Sequence, residues 1–358
     1  MKVYNEADWK RKAINGICNL LIIGISMIGI LLIFFRRLVF RILENNYANQ
    51  YEGYDADFLS KINGIITQLG YATIFLAIAA IILSFIAKKA LKITLFLACS
   101  VITTTMIFFG VQAMGEHHLY TIAGQMLILM ILGLYQIVSL IHNKKALIFV
   151  TLLISTILGI GTINCFFQVA RPYLSSISWM YAQKYYPMQR NDIATLHQLA
   201  DYLNNLTIGT DKYVYICASG STLNASIMNS LDKPYSNNSL NNMYWTADVD
   251  MRDGFNADFL KAHYVVVTVP VQLHLREGTQ EVVRFLCQEV SDMASPIGKH
   301  YEKLNQTFVL DNNVSVYIYM KTSDYDIADY QYLADYYDNY YPGNKELFSS
   351  RIWDAVYR

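Results

Sequence analysis

Five stretches of this chain, 13–35, 63–87, 93–114, 119–141 and 146–168, contain no Asp, Glu, Lys or Arg. About 20 mostly apolar residues let an α-helix cross a bilayer, and each stretch is long enough. Inside a bilayer backbone amides find no water, so such stretches can only be helices that satisfy their own hydrogen bonds. The lipid bilayer is therefore the first expected partner. The first stretch is too long for a signal-peptide core and lacks a small-residue cleavage site, so it is expected to stay as an anchor.

Composition sharpens the division. Charged residues make up 16% of the chain, against roughly 25% in soluble domains, and the deficit falls almost wholly before residue 170. The remainder is rich in Tyr, Asn and Asp. The expected organisation is an α-helical membrane domain over 1–170 with five transmembrane helices, an interfacial joint over 171–190, an extracytoplasmic α/β domain with a parallel or mixed sheet over 191–322, and a Tyr/Asp-rich helical tail over 323–358. A formal net charge of zero leaves no basic excess to displace counterions, so no nucleic-acid partner is expected. Cys18, Cys99 and Cys165 lie in apolar stretches. Cys217 and Cys287 are read as buried free thiols in preference to a disulfide, and no zinc spacing appears.

Basic residues cluster on the cytoplasmic side of membrane helices. Lys10, Arg11 and Lys12, then Lys88, Lys89 and Lys92, then Lys144 and Lys145 flank alternate ends of the spans. Alternation puts these clusters in the cytoplasm. The 44–62 loop, the Glu116-His117-His118 turn and everything after Arg171 then lie outside. Arg36, Arg37 and Arg41 go against the rule: either they snorkel at the outer interface, or the first helix runs on as a surface segment. No charged residue stands in mid-span, which argues against a pump or an ion-coupled transporter.

Beyond residue 190 the periodicity alternates. A helix over 192–206, a strand over 213–218, a helix to about 230, a short helix over 255–261, a strand over 264–268, a helix over 279–289 and a hairpin over 307–310 and 314–320 predict a sheet covered by helices. In such sheets ligands sit beyond the carboxyl ends of the strands. Two ends are readable. Ser219-Gly220-Ser221-Thr222 offers Ser219 and Ser221 either as an anion cradle or, through Ser221 or Thr222, as a helix N-cap. The stretch after 268 offers Gln272 and His274. A third candidate is Asp248-Val-Asp250-Met-Arg252-Asp253-Gly254, where Asp250, Arg252 and Asp253 bind a sugar or a metal, or pair among themselves in a solvated loop. The tail's tyrosines either stack on sugars or pack a helix onto the domain.

The segments RNDIATL (190–196), YVYICASGSTLNASI (213–227), DVDMRDGF (248–255), HYVVVTVPVQLHL (263–275) and IGKHYEKL (297–304) resemble, in order and spacing, the C-terminal extracytoplasmic domain of bacterial GT-C-type membrane glycosyltransferases, relatives of the protein mannosyltransferase and aminoarabinose transferase group. The resemblance implies sugar transfer from a polyprenyl-phosphate sugar to an acceptor outside the membrane, in cell-envelope glycan or glycoprotein synthesis. It also implies an Asp or Glu in the first outer loop as base or as anchor of a divalent cation. Here that loop reads Glu52-Gly-Tyr-Asp55-Ala-Asp57, which makes Asp55 and Asp57 the catalytic candidates; Glu116, His117 and His118 form a second acidic and imidazole-bearing turn. Members of that group have many more helices than the five read here. The chain is therefore expected to be a C-terminal half or a reduced relative, completed by another membrane subunit. The alternative is a non-catalytic anchored module that binds glycan or such a subunit.

Overall fold

The first apolar stretch forms one helix, α1 (Glu6–Phe34), and the chain breaks at Phe35 before a second, α2 (Arg36–Glu44). Apolar side chains of α1 such as Leu20, Ile25 and Ile33 are exposed. Burying each is worth about 1.5–3 kcal/mol, so the helix is suited to an apolar surrounding. By helical spacing α2 sets Arg36, Arg37 and Arg41 on one face and Leu38, Val39, Ile42 and Leu43 on the other. The segment after α1 is thus a separate amphipathic helix. The computed structural model describes residues 6–45, 47–167, 173, 176–182, 190–231, 240 and 242–357. Most of the 171–190 joint lies outside the described residues, as does residue 168 at the end of the fifth expected span. The chain forms two compact units, Met1–Asn49 and Gln50–Arg358.

In the second unit the 63–87 stretch, expected as one span, is two helices, α3 (Phe58–Leu69) and α4 (Tyr71–Ala87), bent by 96°. Gly70 makes the bend. Its φ is +79°, and a Cβ there would lie 2.6 Å from the Tyr181 carbonyl carbon, so backbone meets backbone where only glycine fits. Three helices follow: α5 (Leu91–Phe109), α6 (Glu116–Ser139) and α7 (Lys144–Phe166). Among the described residues four helices are long and apolar enough to cross a membrane, or five if the bent pair is one span. α4, α5 and α6 share a core of Ala77, Leu97, Met126 and Leu129. A buried polar chain joins the same three: Gln136 Nε2 donates to Ser84 Oγ at 2.7 Å, and Ser84 Oγ meets Thr94 Oγ1 at 2.9 Å.

The C-terminal part carries α8 (Ile193–Thr207), β1 (Val214–Cys217), α9 (Ala225–Ser230), β2 (Met243–Tyr244), β3 (Tyr264–Val269), α10 (Glu281–Ser291), β4 (Tyr301–Leu310), β5 (Val314–Lys321), α11 (Ile327–Tyr340) and α12 (Ser349–Tyr357). The strands form one mixed sheet in the order β2-β1-β3-β5-β4. β2, β1 and β3 run parallel, β5 runs antiparallel to them, and β4 pairs antiparallel with β5. Strand alternation divides the core. Val214, Ile216, Val266 and Ile318 pack on α8 and α9, while Tyr215, Cys217, Val265 and Val267 pack on α10, α11 and α12. β2 was not expected, and β4 begins at Tyr301, before the expected hairpin. The tail's Tyr337 is fully buried, and Tyr330, Tyr332, Tyr336 and Tyr341 pack against the same core. Cys217 and Cys287 are buried free thiols.

Candidate functional site at the strand ends

Because β1, β2 and β3 run parallel, the loops that follow them emerge on one edge of the sheet. They supply Ser219, Asp248 and His274 respectively. Ser219 is only 1% exposed. Its N–H donates to the Gln272 carbonyl at 2.8 Å, and its hydroxyl donates to Asp248 Oδ1 at 2.7 Å. Gly220 lies so close to Gln272 that a Cβ would fall 2.8 Å from the Gln272 Cβ.

Gln280 ties the three loops together. Its Nε2 donates to Ser219 Oγ at 3.0 Å and to the Asp248 carbonyl at 2.8 Å. Its Oε1 accepts the N–H groups of His274 and Leu275, each at 2.9 Å. His274 Nδ1 meets the Ser219 carbonyl at short range and Ser219 Oγ at 3.2 Å. A carbonyl only accepts, so the neutral imidazole carries its proton on Nδ1 and Nε2 is left as the acceptor. The Tyr54 hydroxyl stands 3.4 Å from Nε2.

Tyr54 comes from the loop ahead of α3, in a one-turn helix spanning Glu52–Tyr54. The turn is held from both sides. Gly53 carbonyl accepts the Arg276 N–H at 3.1 Å, and Glu52 pairs with the Arg276 guanidinium. The Tyr54 carbonyl accepts the Ala113 N–H, from the turn between α5 and α6, at 3.1 Å. Gly53 is buried, and a Cβ on it would lie 2.7 Å from Thr279 Oγ1, so the turn docks only because residue 53 has no side chain. Burial pushes the Tyr54 phenol up from its ordinary value; Arg252 opposes this, and Asp248 and Asp253 add to it. An exposed imidazole acceptor, a phenol, a carboxylate and a guanidinium therefore share one electrostatic neighbourhood.

Of the residues singled out in the sequence, the structure brings Ser219, His274, Arg252 and Asp253 to this neighbourhood. Gln272 braces it: its N–H donates to Thr268 Oγ1 at 3.2 Å and its Nε2 to the Pro270 carbonyl at 3.0 Å. Asp253 is held below the usual carboxylate range. Burial alone would raise it, but Arg252 and the N–H groups of Val249 and Asp248 outweigh burial. Ser221 is exposed, and its carbonyl accepts from Arg190 at 3.1 Å. The cap of α9 is Asn224, whose side chain accepts the Ile227 N–H at 2.8 Å, and not Ser221 or Thr222. Asp250 is fully buried and turned away from any ligand: Oδ2 accepts from Val282 N–H at 3.1 Å and from the Tyr341 hydroxyl at 2.5 Å.

Asp55 and Asp57 each have a partner of their own. Asp55 pairs with Lys61 at 2.6 Å, and Lys61 also donates to the Phe109 carbonyl at 2.7 Å. Asp57 caps α3, accepting Ser60 N–H at 3.0 Å and Ser60 Oγ at 2.5 Å. His117 and His118 lie ring to ring at 3.8 Å, with Gln112 Nε2 at 3.4 Å from His118 Nε2; the Glu116 side chain lies outside the described residues. Among the described residues no three His, Cys, Asp or Glu side chains group as metal ligands. Sequence reasoning missed Gln280, which carries no motif, and Tyr54, which sits inside the acidic stretch it had picked out. Comparison with protein-family models, with curated proteins and with solved structures returns no match.

Proposed function

We propose that this chain is a membrane glycosyltransferase-like protein of the polyprenyl-phosphate-sugar-dependent type, the C-terminal half of such an enzyme or a reduced relative, with its α/β domain extracytoplasmic. It acts with another membrane subunit in envelope glycan or glycoprotein synthesis. One observation carries the reading: the loop just ahead of the bent helical pair sets Tyr54 against the Nε2 acceptor of His274, where apolar helices meet the strand ends. A lipid-linked donor presents its phosphate at such a junction. His274 then takes the proton of the acceptor hydroxyl, and Arg252 and Arg276 face the departing phosphate. Asp55 holds Lys61 by an ion pair at 2.6 Å.

The test is transfer of labelled sugar from a polyprenyl-phosphate hexose in proteoliposomes, with the chain alone and with its partner subunit. His274→Ala is expected to lower transfer by about 10²-fold or more, as loss of a general base does. Asp57→Asn is expected to act mainly through the helix cap and leave the turnover of folded protein close to wild type. Transfer that survives His274→Ala but fails in Asp55→Asn would move the base to the outer-loop carboxylate; no transfer under any condition sinks the proposal. The partners already engaging both loop carboxylates favour a second reading, a non-catalytic anchored module that binds glycan or a membrane subunit. Tight co-purification with such a subunit, without turnover, would establish it.

A further inference from the structure

Beside the end of β2 lies a cleft of about 570 Å³ that the strand-end cluster does not use. The 248–254 loop serves both places, giving Asp248 to the cluster and Asp253 to the cleft wall. Trp245 lines the cleft and is 50% exposed, a large apolar ring left facing water. It is held in place: Asn256 Nδ2 donates to the Trp245 carbonyl, and Asn256 Oδ1 accepts the Asp258 N–H at 3.0 Å. Arg351 is fixed as well, donating to the Asp253 carbonyl. Phe255 and Ala247 give the wall an apolar part.

The charges around the cleft cancel. Asp253 is already paired with Arg252 and Lys261 with Asp258, which leaves Arg351 against Asp354, so there is no net pull for a phosphate or a carboxylate. A wholly apolar ligand is also disfavoured, because it would strip water from those groups and return no hydrogen bonds. The lining calls for a ligand with one apolar face for an indole and hydroxyls around its edge for planar donors and acceptors. The volume lies in the range, roughly 300–1,000 Å³, of small-molecule sites.

We propose that the Trp245 cleft binds a neutral, unphosphorylated oligosaccharide, with the indole as its stacking platform. This deepens the glycan reading of the domain and does not require transfer at the strand ends. Binding would be measured on the full chain in lipid nanodiscs, since maltoside detergents present sugar themselves. The probes are maltotriose, mannotriose and chitotriose, with adenosine as the competing flat ligand. One of the trisaccharides is expected to bind at millimolar or lower concentration. Trp245→Ala should weaken that binding at least about tenfold, the loss of one aromatic contact. Trp245→Phe should retain most of it, and Ile208→Ala, an exposed residue just after α8 on the opposite face of the sheet, should leave it unchanged. The proposal is overturned if no trisaccharide binds, if Trp245→Ala changes nothing, or if adenosine binds as tightly as the best sugar. The unsubstituted chain separates the two readings: trisaccharide binding without transfer of labelled sugar supports the cleft alone, and transfer without trisaccharide binding sinks the cleft alone.

Discussion

Asp250 is the residue whose chemistry is most altered by the fold. Burial pushes its carboxyl up to about 7, although Tyr341 and the N–H groups of Val282 and Glu281 pull it down. Its Oδ1 has no hydrogen-bond partner among the described residues, as suits a proton held there. A folded value above the unfolded 3.8 means that the native state holds this proton more tightly. The resulting stability is complete below about pH 4, is lost as pH rises towards 7, and is flat beyond, a swing on the order of 4 kcal/mol at most. Asp250→Asn keeps an acceptor for Val282 and Tyr341 and removes the titration. Melting temperatures between pH 4 and 8 should then fall with pH in wild type and far less in the variant; parallel curves would show that Asp250 does not titrate in this window. The same residue shows what the sequence conceals. Asp248, Asp250 and Asp253 look alike in a short acidic run, but one turns to Ser219, one inward to α10 and α11, and one back to Arg252. That sorting depends on which strand end each faces. His274 was legible because it follows a buried strand at alternating spacing.

At the level of elements, long apolar runs and alternating strands were readable because their periodicity is their physics. The bend at Gly70 was not: the residues on either side are uniformly apolar, and the glycine is set off only by a contact with Tyr181, far along the chain. β2 was hidden because a two-residue strand has no period. Glycines within α6 make the distinction testable. Gly133 faces the Leu76 carbonyl of α4 so closely that a Cβ would collide with it, whereas Gly124 has open space. Gly133→Ile should force α4 and α6 apart, costing about 1–3 kcal/mol by overpacking, while Gly124→Ile should be neutral. Thermal shift and monodispersity in detergent would compare them, and equal effects would mean that α4 and α6 do not pack through this contact. Gln136→Leu should cost less, about 0.6 kcal/mol, since Ser84 and Thr94 still pair with each other.

For the Gln50–Arg358 unit, one contact constrains how the chain is threaded through a membrane. The Glu52–Tyr54 turn bonds to Arg276 of the α/β domain and, through Tyr54, to Ala113 in the turn between α5 and α6. If these helices cross a bilayer, those three places share one side of it, so an even number of crossings separates each from the next. Between Tyr54 and Ala113 lie the bent pair and α5. If α3 and α4 entered and left by the same face, a single crossing would remain, and the bond could not form. In a membrane the bent pair would therefore count as one crossing. With a 96° bend, α4 would then be the part that crosses, and α3 would lie along the surface that carries Tyr54. The 17 residues of α4 span about 25 Å at 1.5 Å per residue, close to a hydrocarbon core of about 30 Å. Counting on through α6 and α7 returns the chain to the face of the Glu52–Tyr54 turn, as the Arg276 bond requires. Single cysteines at Met293, Lys89 and His142, in a background with Cys18, Cys99 and Cys165 replaced by Ser, would test this with an impermeant maleimide on intact cells. Cysteine at 293 should label from outside, and those at 89 and 142 only after permeabilisation. If positions 89 and 293 label together from outside, one of the three helices between them, α5, α6 or α7, does not cross and the parity argument fails. If 293 labels only from the cytosolic side while 89 and 142 label from outside, the parity stands but the domain faces inward, and the proposed access to an extracytoplasmic acceptor is lost.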